Sequence, residues 1–370
     1  MLEQRRDLIV LLSGGMSLSE ASRRCNVSRE TARFWRDRFA EGGIDALNDL
    51  SRRPHSSPGR TDARVEKAVV RLRTRFPAWG GRKIAAVLLN DGFGRIAPST
   101  VTDILRRNML LGECTPRPVC VGRFERSRPN ELWQMDYKSP FVTADGRGWH
   151  PLTIIDDHSR YALAVRWCKD QTLTTLLPQL RRCLRVYGLP EQILCDNGSP
   201  WRGDDPEGRL SRCEIWLMDR GVEMIHGRPR HPQTQGKDER FHRTLDVELL
   251  QGRTFADGGA AMRATERWRD VYNHRRPHDA LDMKVPAQRY SASPRPFVDR
   301  PQPWDYSPDD AVRRVWKPGR LSFCGRTFRV GKALEGRDVG VRPTDRDGVY
   351  EVRYRKLLVR RIDLRAAPDG

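Results

Sequence analysis

Paired cysteines, zinc-ligand spacings and long apolar runs are all missing from this sequence. Its eight cysteines include no Cys-x-x-Cys pair, and no nearby pair of histidines completes a zinc site. The sequence also contains neither a signal peptide nor an apolar run of about 18 residues, the length that crosses a membrane. We therefore expect no zinc, no membrane contact and a location in a reducing cytoplasm.

Acidic residues are too few to balance the basic ones, and the excess is unevenly distributed. The formal net charge is +20, but residues 131–290 contribute only +2, whereas residues 51–130 contribute +11 and residues 291–370 contribute +7. A nearly neutral centre between basic flanks is typical of an enzyme core that its neighbours bring to a polyanion. The alternative is a basic protein whose charge only keeps it soluble.

Residues 1–50 have the pattern of a helix-turn-helix domain. Ser17 and Ser28 are predicted to cap two short helices, one on each side of a turn at Asn26. In the second helix, apolar side chains recur with helical spacing and leave a basic face exposed. The residues of that face predicted to bind DNA are Arg29, Arg33 and Arg36. A small helical domain that does not bind DNA is the alternative.

A second helical pattern, predicted to be another helix-turn-helix-like domain, covers residues 61–111. The Pro-containing segment before it is predicted to be an extended linker in which Arg52 and Arg53 contact DNA. Pro98–Val101 is predicted to cap the last helix, whose outward residues Thr102, Arg106 and Arg107 are further candidates for DNA contacts. Two tandem modules suit one long, non-palindromic DNA site, but the second could instead only bridge protein surfaces.

Strand patterns begin near residue 131 and then alternate with helices up to residue 290. This succession indicates a layered α/β domain. The predicted elements are the strands Trp133–Val142, Pro151–Ile155 and Tyr161–Trp167, the helix Thr172–Tyr187 and the short strand Ile193–Cys195.

Three acidic residues stand at prominent places in this domain. Asp136 is on the first predicted strand, Asp196 directly follows the last one, and Glu239 is on a helix that begins near Lys237. Carboxylates brought together repel one another unless a cation is present, and oxygen ligands favour Mg²⁺, with Mn²⁺ as a surrogate. Two metals about 3.5–4 Å apart stabilise both the attacking and the leaving oxygen of a phosphodiester exchange. The basic neighbours predicted to hold phosphates are Lys237, Arg240 and Arg243.

Five motifs in residues 131–290 resemble the integrase core of bacterial insertion-sequence transposases. They are Trp133–Asp136, Asp156–Tyr161, Asp196–Pro200, His231–Leu245 and Tyr272–Leu281. That family belongs to the retroviral-integrase-like superfamily and has a ribonuclease-H-type fold. The resemblance implies that Asp136, Asp196 and Glu239 are the catalytic, metal-binding triad. It also implies a homo-oligomer that binds the double-stranded ends of a mobile element, cleaves them and joins the 3′-OH to target DNA.

One departure from the family concerns the interval before the third carboxylate. Here 42 residues separate Asp196 from Glu239, more than in many members. The excess is predicted to lie in the loop Trp201–Arg212, because surface loops lengthen at little cost. Glu214 and Glu223 are rivals for the third ligand, but neither lies in the matching motif. Tyr272–Leu281 is interpreted as a packing segment without chemistry.

The predicted fold class is therefore multidomain. We expect N-terminal all-α helix-turn-helix modules at 1–50 and 61–111, a central α/β ribonuclease-H-like integrase core at 131–290, and a C-terminal small all-β barrel at 310–366. Residues 291–310 are predicted to be a linker, and Val349–Leu358 one strand of the barrel. Basic residues there that we expect to face the DNA backbone, unless they only form a solvated surface, are Arg353, Arg355, Lys356, Arg360 and Arg361.

Two alternatives to a transposase stay open at the level of sequence. One is a catalytically silent, transposase-derived repressor, for which the basic front end would suffice. The other is a ribonuclease-H-type nuclease that shares the metal chemistry but only hydrolyses. Joined DNA strands, and not merely nicks, distinguish the transposase from both. For a transposase we expect association with the bacterial nucleoid.

Overall fold

The structure is a computed structural model that describes residues 2–50, 61–112, 125–196, 198, 200–201, 210–227 and 236–366. Arg52, Arg53, His231–Gln235 and most of the predicted loop insertion lie outside these residues. The chain divides into two compact units, Met1–Asp62 and Ala63–Gly370. No helix in the described residues is long and apolar enough to cross a membrane.

The first unit consists of three short helices and a closing turn. They are α1 (Leu2–Ser13), α2 (Leu18–Arg24), α3 (Arg29–Gly42) and the 3₁₀ turn Gly43–Leu47. Both predicted caps are confirmed, since Ser17 Oγ accepts a hydrogen bond from the Glu20 amide and Ser28 Oγ one from the Thr31 amide. The helices enclose a small core made by Leu8, Ala21 and Ala32.

The second unit begins with another three-helix module. It contains α4 (Ala63–Arg75), α5 (Gly81–Asn90) and α6 (Pro98–Arg107). Its core includes Val69, Leu88, Ile104 and Leu105, which are all buried. The segment Pro98–Val101 begins α6, as predicted, but no side chain of the described residues caps the helix. Pro98 is the first helical residue, a position that proline favours because its missing N–H would be unpaired there anyway.

A mixed β-sheet forms the centre of this unit. Its strands lie in the order β4-β3-β1-β5-β6, with β2 paired to the first residues of β3. The pairs β1/β3 and β3/β4 are antiparallel, whereas β5 and β6 run parallel to β1 and to each other. The strands are β1 (Leu132–Tyr137), β2 (Phe141–Val142), β3 (Gly148–Asp156), β4 (Ala162–Cys168), β5 (Gln192–Cys195) and β6 (Glu223–His226).

The prediction of one continuous strand over Trp133–Val142 is wrong. The chain leaves the sheet after Tyr137 and returns as β2 at Phe141. Pro140 lies in this gap and has no backbone N–H to donate to a strand ladder.

Helices cover both faces of the sheet. On one face are α7 (Leu173–Tyr187) and α8 (Arg212–Met218), and on the other are α9 (Gly236–Leu245) and α10 (Gly258–His274). Side chains alternate along a strand, and Trp133 and Met135 of β1 pack toward α7. Gln134 and Asp136 therefore face α9. The predicted buried stripe is confirmed by Phe241 and Leu245 of α9 and by Leu249 of the π-helical turn Asp246–Leu250 that follows it.

The C-terminal part of the chain is a small all-β region. It comprises a four-stranded antiparallel sheet in the order β12-β11-β10-β7 and the hairpin β8–β9. The prediction of one strand over Val349–Leu358 is wrong, because Arg355 adopts a positive φ of 54° and turns the chain into a hairpin. The strands are β7 (Ala311–Arg314), β8 (Arg320–Phe323), β9 (Arg326–Arg329), β10 (Asp338–Pro343), β11 (Val349–Tyr354) and β12 (Leu357–Asp363).

This β region packs directly on α8. Ile215 of that helix is part of the hydrophobic cluster inside the β region. Just beyond α8, the buried Asp219 accepts a hydrogen bond from the Tyr354 hydroxyl. The same carboxylate lies 2.9 Å from a guanidinium nitrogen of Arg337 and 3.5 Å from one of Arg355. Apolar and ionic contacts thus both attach the β region to the sheet domain.

The helical module α4–α6 packs against the end of α10. Val271 contacts the core of the module. Asp279 pairs with Arg82 at 3.0 Å and with Lys83 at 3.4 Å, while Arg275 donates to Asp91 at 2.8 Å. The second module therefore contacts the sheet domain directly. Whether it binds DNA or only bridges protein surfaces stays a prediction.

Tyr272–Leu281 has the packing role predicted for it. Tyr272 and Leu281 are buried. The Asn273 side chain bonds the backbone of Ala162 twice, accepting from its N–H at 2.8 Å and donating to its carbonyl at 3.0 Å. The segment thereby joins α10 to β4 and to the helical module.

Candidate active site

The register of β1 and β5 places Asp136 and Asp196 at the same height along the two neighbouring strands. In the parallel pair β1/β5, Gln134 lies opposite Leu194, and each aspartate follows its own member of that pair by two residues. Adjacent strands are about 4.8 Å apart, and side chains two residues apart share a face. The two carboxylates therefore emerge side by side on the face that α9 covers.

Glu239 completes this acidic group from α9, where it is exposed. The pKa of Asp136 is raised to about 6 in these surroundings. Burial is the main cause, and the negative charges of Asp196 and Glu239 add to it, while a hydrogen bond from the Tyr137 amide opposes it. The three predicted residues therefore act on one another electrostatically.

Asp196 is held by its own loop and by β6. The Gly198 amide donates to Asp196 Oδ1 at 2.9 Å. A Cβ on Gly198 would lie 3.1 Å from Oδ2, so a larger residue would crowd the carboxylate. His226 Nδ1 lies 3.0 Å from the Asp196 carbonyl, and because a carbonyl only accepts, this nitrogen carries the proton.

The rival Glu214 has a different role. It forms a capping box at the start of α8, with its Oε2 accepting from the Ser211 amide at 2.5 Å. Its other oxygen lies 3.3 Å from His226 Nε2, a contact that raises the pKa of His226 despite partial burial. The second rival, Glu223, is exposed on β6 and accepts a hydrogen bond from Gln192. The glutamate that raises the pKa of Asp136 is Glu239.

A buried carboxyl that sequence reasoning missed lies next to Glu239. Asp238 is 3% exposed, and its Oδ1 has no hydrogen-bond partner among the described residues. Burial raises its pKa well above the ordinary range, and the charges of Asp136 and Asp157 add to this effect. The available signal was its spacing, three residues before Phe241 on the buried stripe.

His242 and Thr153 form a second group of neighbours that the sequence did not indicate. Thr153 is opposite Asp136 in the β1/β3 pair, and its hydroxyl donates to the Asp136 carbonyl at 3.1 Å. His242 Nε2 lies 2.8 Å from the same hydroxyl, and Nδ1 lies 3.9 Å from Asp136 Oδ2. Burial, followed by the charge of Lys138, lowers the pKa of His242 to about 4, so this imidazole is neutral. Strand register, which brings these groups together, has no local sequence signal.

The three basic residues near Glu239 that were predicted to hold phosphates differ in their exposure. Arg240 and Arg243 are exposed on α9. Lys237 is largely buried, and its ammonium lies 2.5 Å from Asp157 Oδ1, where the carboxylate also accepts from Gln134. In this structure Lys237 fixes the start of α9 to the loop after β3.

The residues of the helical modules that were predicted to contact DNA differ in their exposure and in their ion pairs. Arg29, Arg33 and Arg36 are exposed on α3, as predicted. On α6, Arg106 pairs with Asp103, and Arg107 lies 3.7 Å from Glu66. Thr102 is half-buried rather than fully outward, because its hydroxyl donates to the Pro98 carbonyl and packs against Gly81.

The three carboxylates have the right donor chemistry for a hard divalent cation but do not form a closed ligand set in this structure. Among the described residues, no group of three or more His, Cys, Asp or Glu side chains is arranged to hold a metal ion. All three groups offer oxygen, and the charges of Asp196 and Glu239 add to the effect of burial in raising the pKa of Asp136. A bound cation would relieve the repulsion between these charges.

Comparisons with known proteins agree with this architecture. Residues 126–232 and 220–286 match families described as "Integrase core domain", and residues 310–369 match "IS481 family transposase, C-terminal domain". Residues 4–55 match "Helix-turn-helix domain", and residues 31–105 match "Homeodomain-like domain". By these matches the central part of the chain is an integrase core domain, and the chain is similar to insertion-sequence transposases.

Three relatives illustrate the range of the match. The IS407 31.7 kDa protein of Burkholderia multivorans is 26% identical over 47% of this chain and 59% of its own length. The IS476 39.2 kDa protein of Xanthomonas euvesicatoria is 28% identical over 44% of each chain. YlbG of Shigella boydii is 37% identical over 25% of this chain and 78% of its own length. The chain thus spans only about half the length of the two insertion-element proteins.

The fold class predicted from the sequence is confirmed for this chain. It has N-terminal helix-turn-helix modules, a central ribonuclease-H-like integrase core and a small all-β region at the C-terminal end.

Proposed function

We propose that this chain is a DNA transposase that cleaves the ends of its mobile element and joins them to target DNA. The observation that supports the proposal is geometric: Asp136 and Asp196 follow paired positions of β1 and β5 on the face of the sheet that is covered by α9, the helix that carries Glu239. The integrase-core match over both aspartates and the glutamate supports it.

The proposed chemistry consists of two phosphoryl transfers in one site. Water first cleaves the phosphodiester at each element end and leaves a 3′-OH, which then attacks a phosphodiester of the target and displaces a second 3′-OH. Asp136, Asp196 and Glu239 would hold the divalent cations, with Mg²⁺ the expected metal. When bound, such ions stabilise the charge on the attacking and leaving oxygens.

The remaining side chains of the site would position these carboxylates and the DNA. Thr153 and His242 hold the strand segment of Asp136, and Gly198 and His226 hold that of Asp196. Arg240 and Arg243 would contact phosphates beside Glu239, because both are exposed on the same helix. No serine or tyrosine nucleophile is needed, since the 3′-OH itself attacks.

DNA recognition would be divided among the flanking domains. We propose that 1–50 and 61–111 bind the terminal inverted repeats, that 131–290 is the catalytic core and that 310–366 supports DNA binding. The exposed arginines of α3 and the positive charge outside residues 131–290 support this assignment. A homo-oligomer is proposed because two ends must be joined in one reaction.

The test compares the wild type with Glu239→Gln on a labelled duplex of the inverted repeats that flank the gene, with plasmid target and Mg²⁺. We expect joined product from the wild type alone, because the amide cannot replace a metal-binding carboxylate, while both proteins bind the duplex equally. Glu223→Gln is the matched control and should retain activity, since that side chain is exposed on β6.

Each other outcome has a definite meaning. Joined product from Glu239→Gln would refute the triad assignment. Specific binding without cleavage by the wild type would favour the repressor, and metal-dependent nicks without joined strands would favour the hydrolytic nuclease.

A further inference from the structure

A basic cleft lies between the sheet domain and the β region, away from the three carboxylates in sequence. It has a volume of about 600 Å³ and is lined by residues from α7, α8, the end of β7 and the turn before β10. That volume is in the range of ligand sites, roughly 300–1,000 Å³. Its lining includes two indoles, Trp216 and Trp316, and two ammonium groups, Lys317 and Lys332.

Most charged residues of the cleft are basic. Among the described residues, Arg212, Arg314, Lys317, Lys332 and Arg337 line it, together with one acidic residue, Glu335. The three arginines have acidic partners, at 3.5 Å for Arg212, 3.4 Å for Arg314 and 2.9 Å for Arg337. Within the described part of the chain, Lys317 and Lys332 are exposed and form no ion pair. Both ammonium groups are therefore available to an anion.

Trp316 provides an aromatic surface in the same cleft. Its indole is 44% exposed, although its backbone is fixed by two hydrogen bonds with Arg320, at 2.8 and 2.9 Å. By contrast, the guanidinium of Arg220 covers one face of Trp216 at 3.9 Å from the ring centroid. No ring or guanidinium in the described residues covers Trp316. An exposed indole on a fixed backbone is costly to solvate and well suited to stacking.

We propose that this cleft binds an unpaired nucleotide of the DNA substrate, with its base stacked on Trp316 and its flanking phosphates on Lys317 and Lys332. An unpaired base fits because bases inside a duplex have both faces covered by their neighbours, whereas a frayed or cleaved end exposes a face. The two lysines come from different loops, which suits a strand that carries a phosphate on each side of the base. The inference rests on the proposed function in one respect, that DNA is the partner.

The test measures affinity by fluorescence anisotropy for a labelled terminal-repeat duplex, either blunt or with a single-stranded thymidine tail. We expect the wild type to bind the tailed duplex about tenfold more tightly, the contribution of one stacked base. Trp316→Ala should remove this preference and leave the affinity for the blunt duplex unchanged. Trp316→Phe should keep most of it, and Lys317→Ala should make the salt slope for the tailed duplex less negative by about 0.7.

Matched controls are Trp304→Ala, which removes an indole of similar exposure outside this cleft, and Lys284→Ala, which removes an exposed ammonium elsewhere. Both should bind like the wild type.

A wild type without tail preference, or equal losses on both duplexes in Trp316→Ala, would overturn the proposal. A change of oligomeric state in Trp316→Ala with the tail preference intact would mark a protein interface instead. Failure of the wild type to bind even the blunt duplex would refute the proposed function, and the nucleotide site with it.

Discussion

At the scale of single residues, Thr153 shows how the acidic site depends on its neighbours. One buried hydroxyl donates to the Asp136 carbonyl and lies within hydrogen-bond distance of His242. It therefore fixes both the strand that carries the first carboxylate and a residue of the helix that carries the third. Thr153 and His242 thus hold the segment of Asp136 without adding charge to a site already crowded with negative charge.

Thr153→Val should reduce strand joining and lower the free energy of unfolding by about 1–2 kcal/mol, because the isosteric side chain removes two buried hydrogen bonds. Urea unfolding and the rate of joined product measure the two effects. Thr244→Val is the control, since its exposed hydroxyl donates to the Arg240 carbonyl on the same helix. Joining by Thr153→Val within twofold of the wild type would contradict a positioning role.

His278 gives stability a dependence on pH. Its pKa is lowered well below the ordinary value of 6.5, by burial first and then by the charges of Arg276 and Lys83. The unfolded chain thus binds a proton that the folded chain does not. The stabilising contribution is complete above about pH 6.5 and is lost as the pH falls below it.

We expect wild-type stability to fall by up to about 1.4 kcal/mol for each pH unit below 6.5 on account of this residue. His278→Gln should be less stable at neutral pH but should lose less on acidification to pH 5. Thermal unfolding across this range compares the two slopes, and parallel slopes would refute the assignment.

At the scale of elements, Asp219 joins α8 to the β region. Its buried carboxylate contacts Tyr354, Arg337 and Arg355, which belong to the β region or its loops. Removing the carboxylate leaves the tyrosine hydroxyl and a largely buried guanidinium without their partner. The cost is moderated by Arg337, which is 43% exposed and can be hydrated.

Asp219→Ala should therefore lower the free energy of unfolding by about 2 kcal/mol and make the β region more susceptible to proteolysis. Limited proteolysis with mass spectrometry locates the cleavage sites. The exposed Asp305 provides the control, since Asp305→Ala removes the same charge without a buried partner. Equal protease resistance of both variants would show that Asp219 does not attach the β region.

The sequence predicted features that depend on residues close together in the chain better than features that depend on residues far apart. Helical spacing is local, so the stripe of Phe241, Leu245 and Leu249 and the caps at Ser17 and Ser28 were predicted correctly. The motifs identified the three acidic residues and the family of the core. Their chemical roles stay predictions.

Features set by contacts distant in sequence could not be predicted. The register that pairs Asp136 with Thr153, the packing of Ile215 into the β region and the contact of Asp279 with α5 leave no local pattern. The hairpin at Arg355 was missed because arginine is an unusual residue for a positive φ. β6 and β7 were missed because β6 is only partly buried and β7 is mostly exposed, so neither has a clear apolar pattern.

At the scale of the whole molecule, a net charge of +20 concentrated in the flanks should make DNA binding strongly dependent on salt. Replacing Arg29, Arg33 and Arg36 together by alanine should make the slope of log K against log salt less negative by about 2–3, because each phosphate contact contributes roughly 0.9. The measurement is a salt titration of the repeat duplex. An unchanged slope would show that α3 does not contact the backbone, and Arg300→Ala, an exposed arginine outside the helical modules, is the control.

Contacts of Val271, Arg275 and Asp279 attach α4–α6 to the end of α10. They hold the second helical module at a fixed distance from the sheet that carries Asp136 and Asp196. If α6 reads bases near the element end, the protein fixes how far those bases lie from the phosphodiester that is cleaved beside the carboxylates. The cut would then be placed by counting from the recognised bases rather than by the sequence at the cut itself. An extra base pair between the two would move the cut relative to the element's terminus while its distance from the recognised bases stays the same.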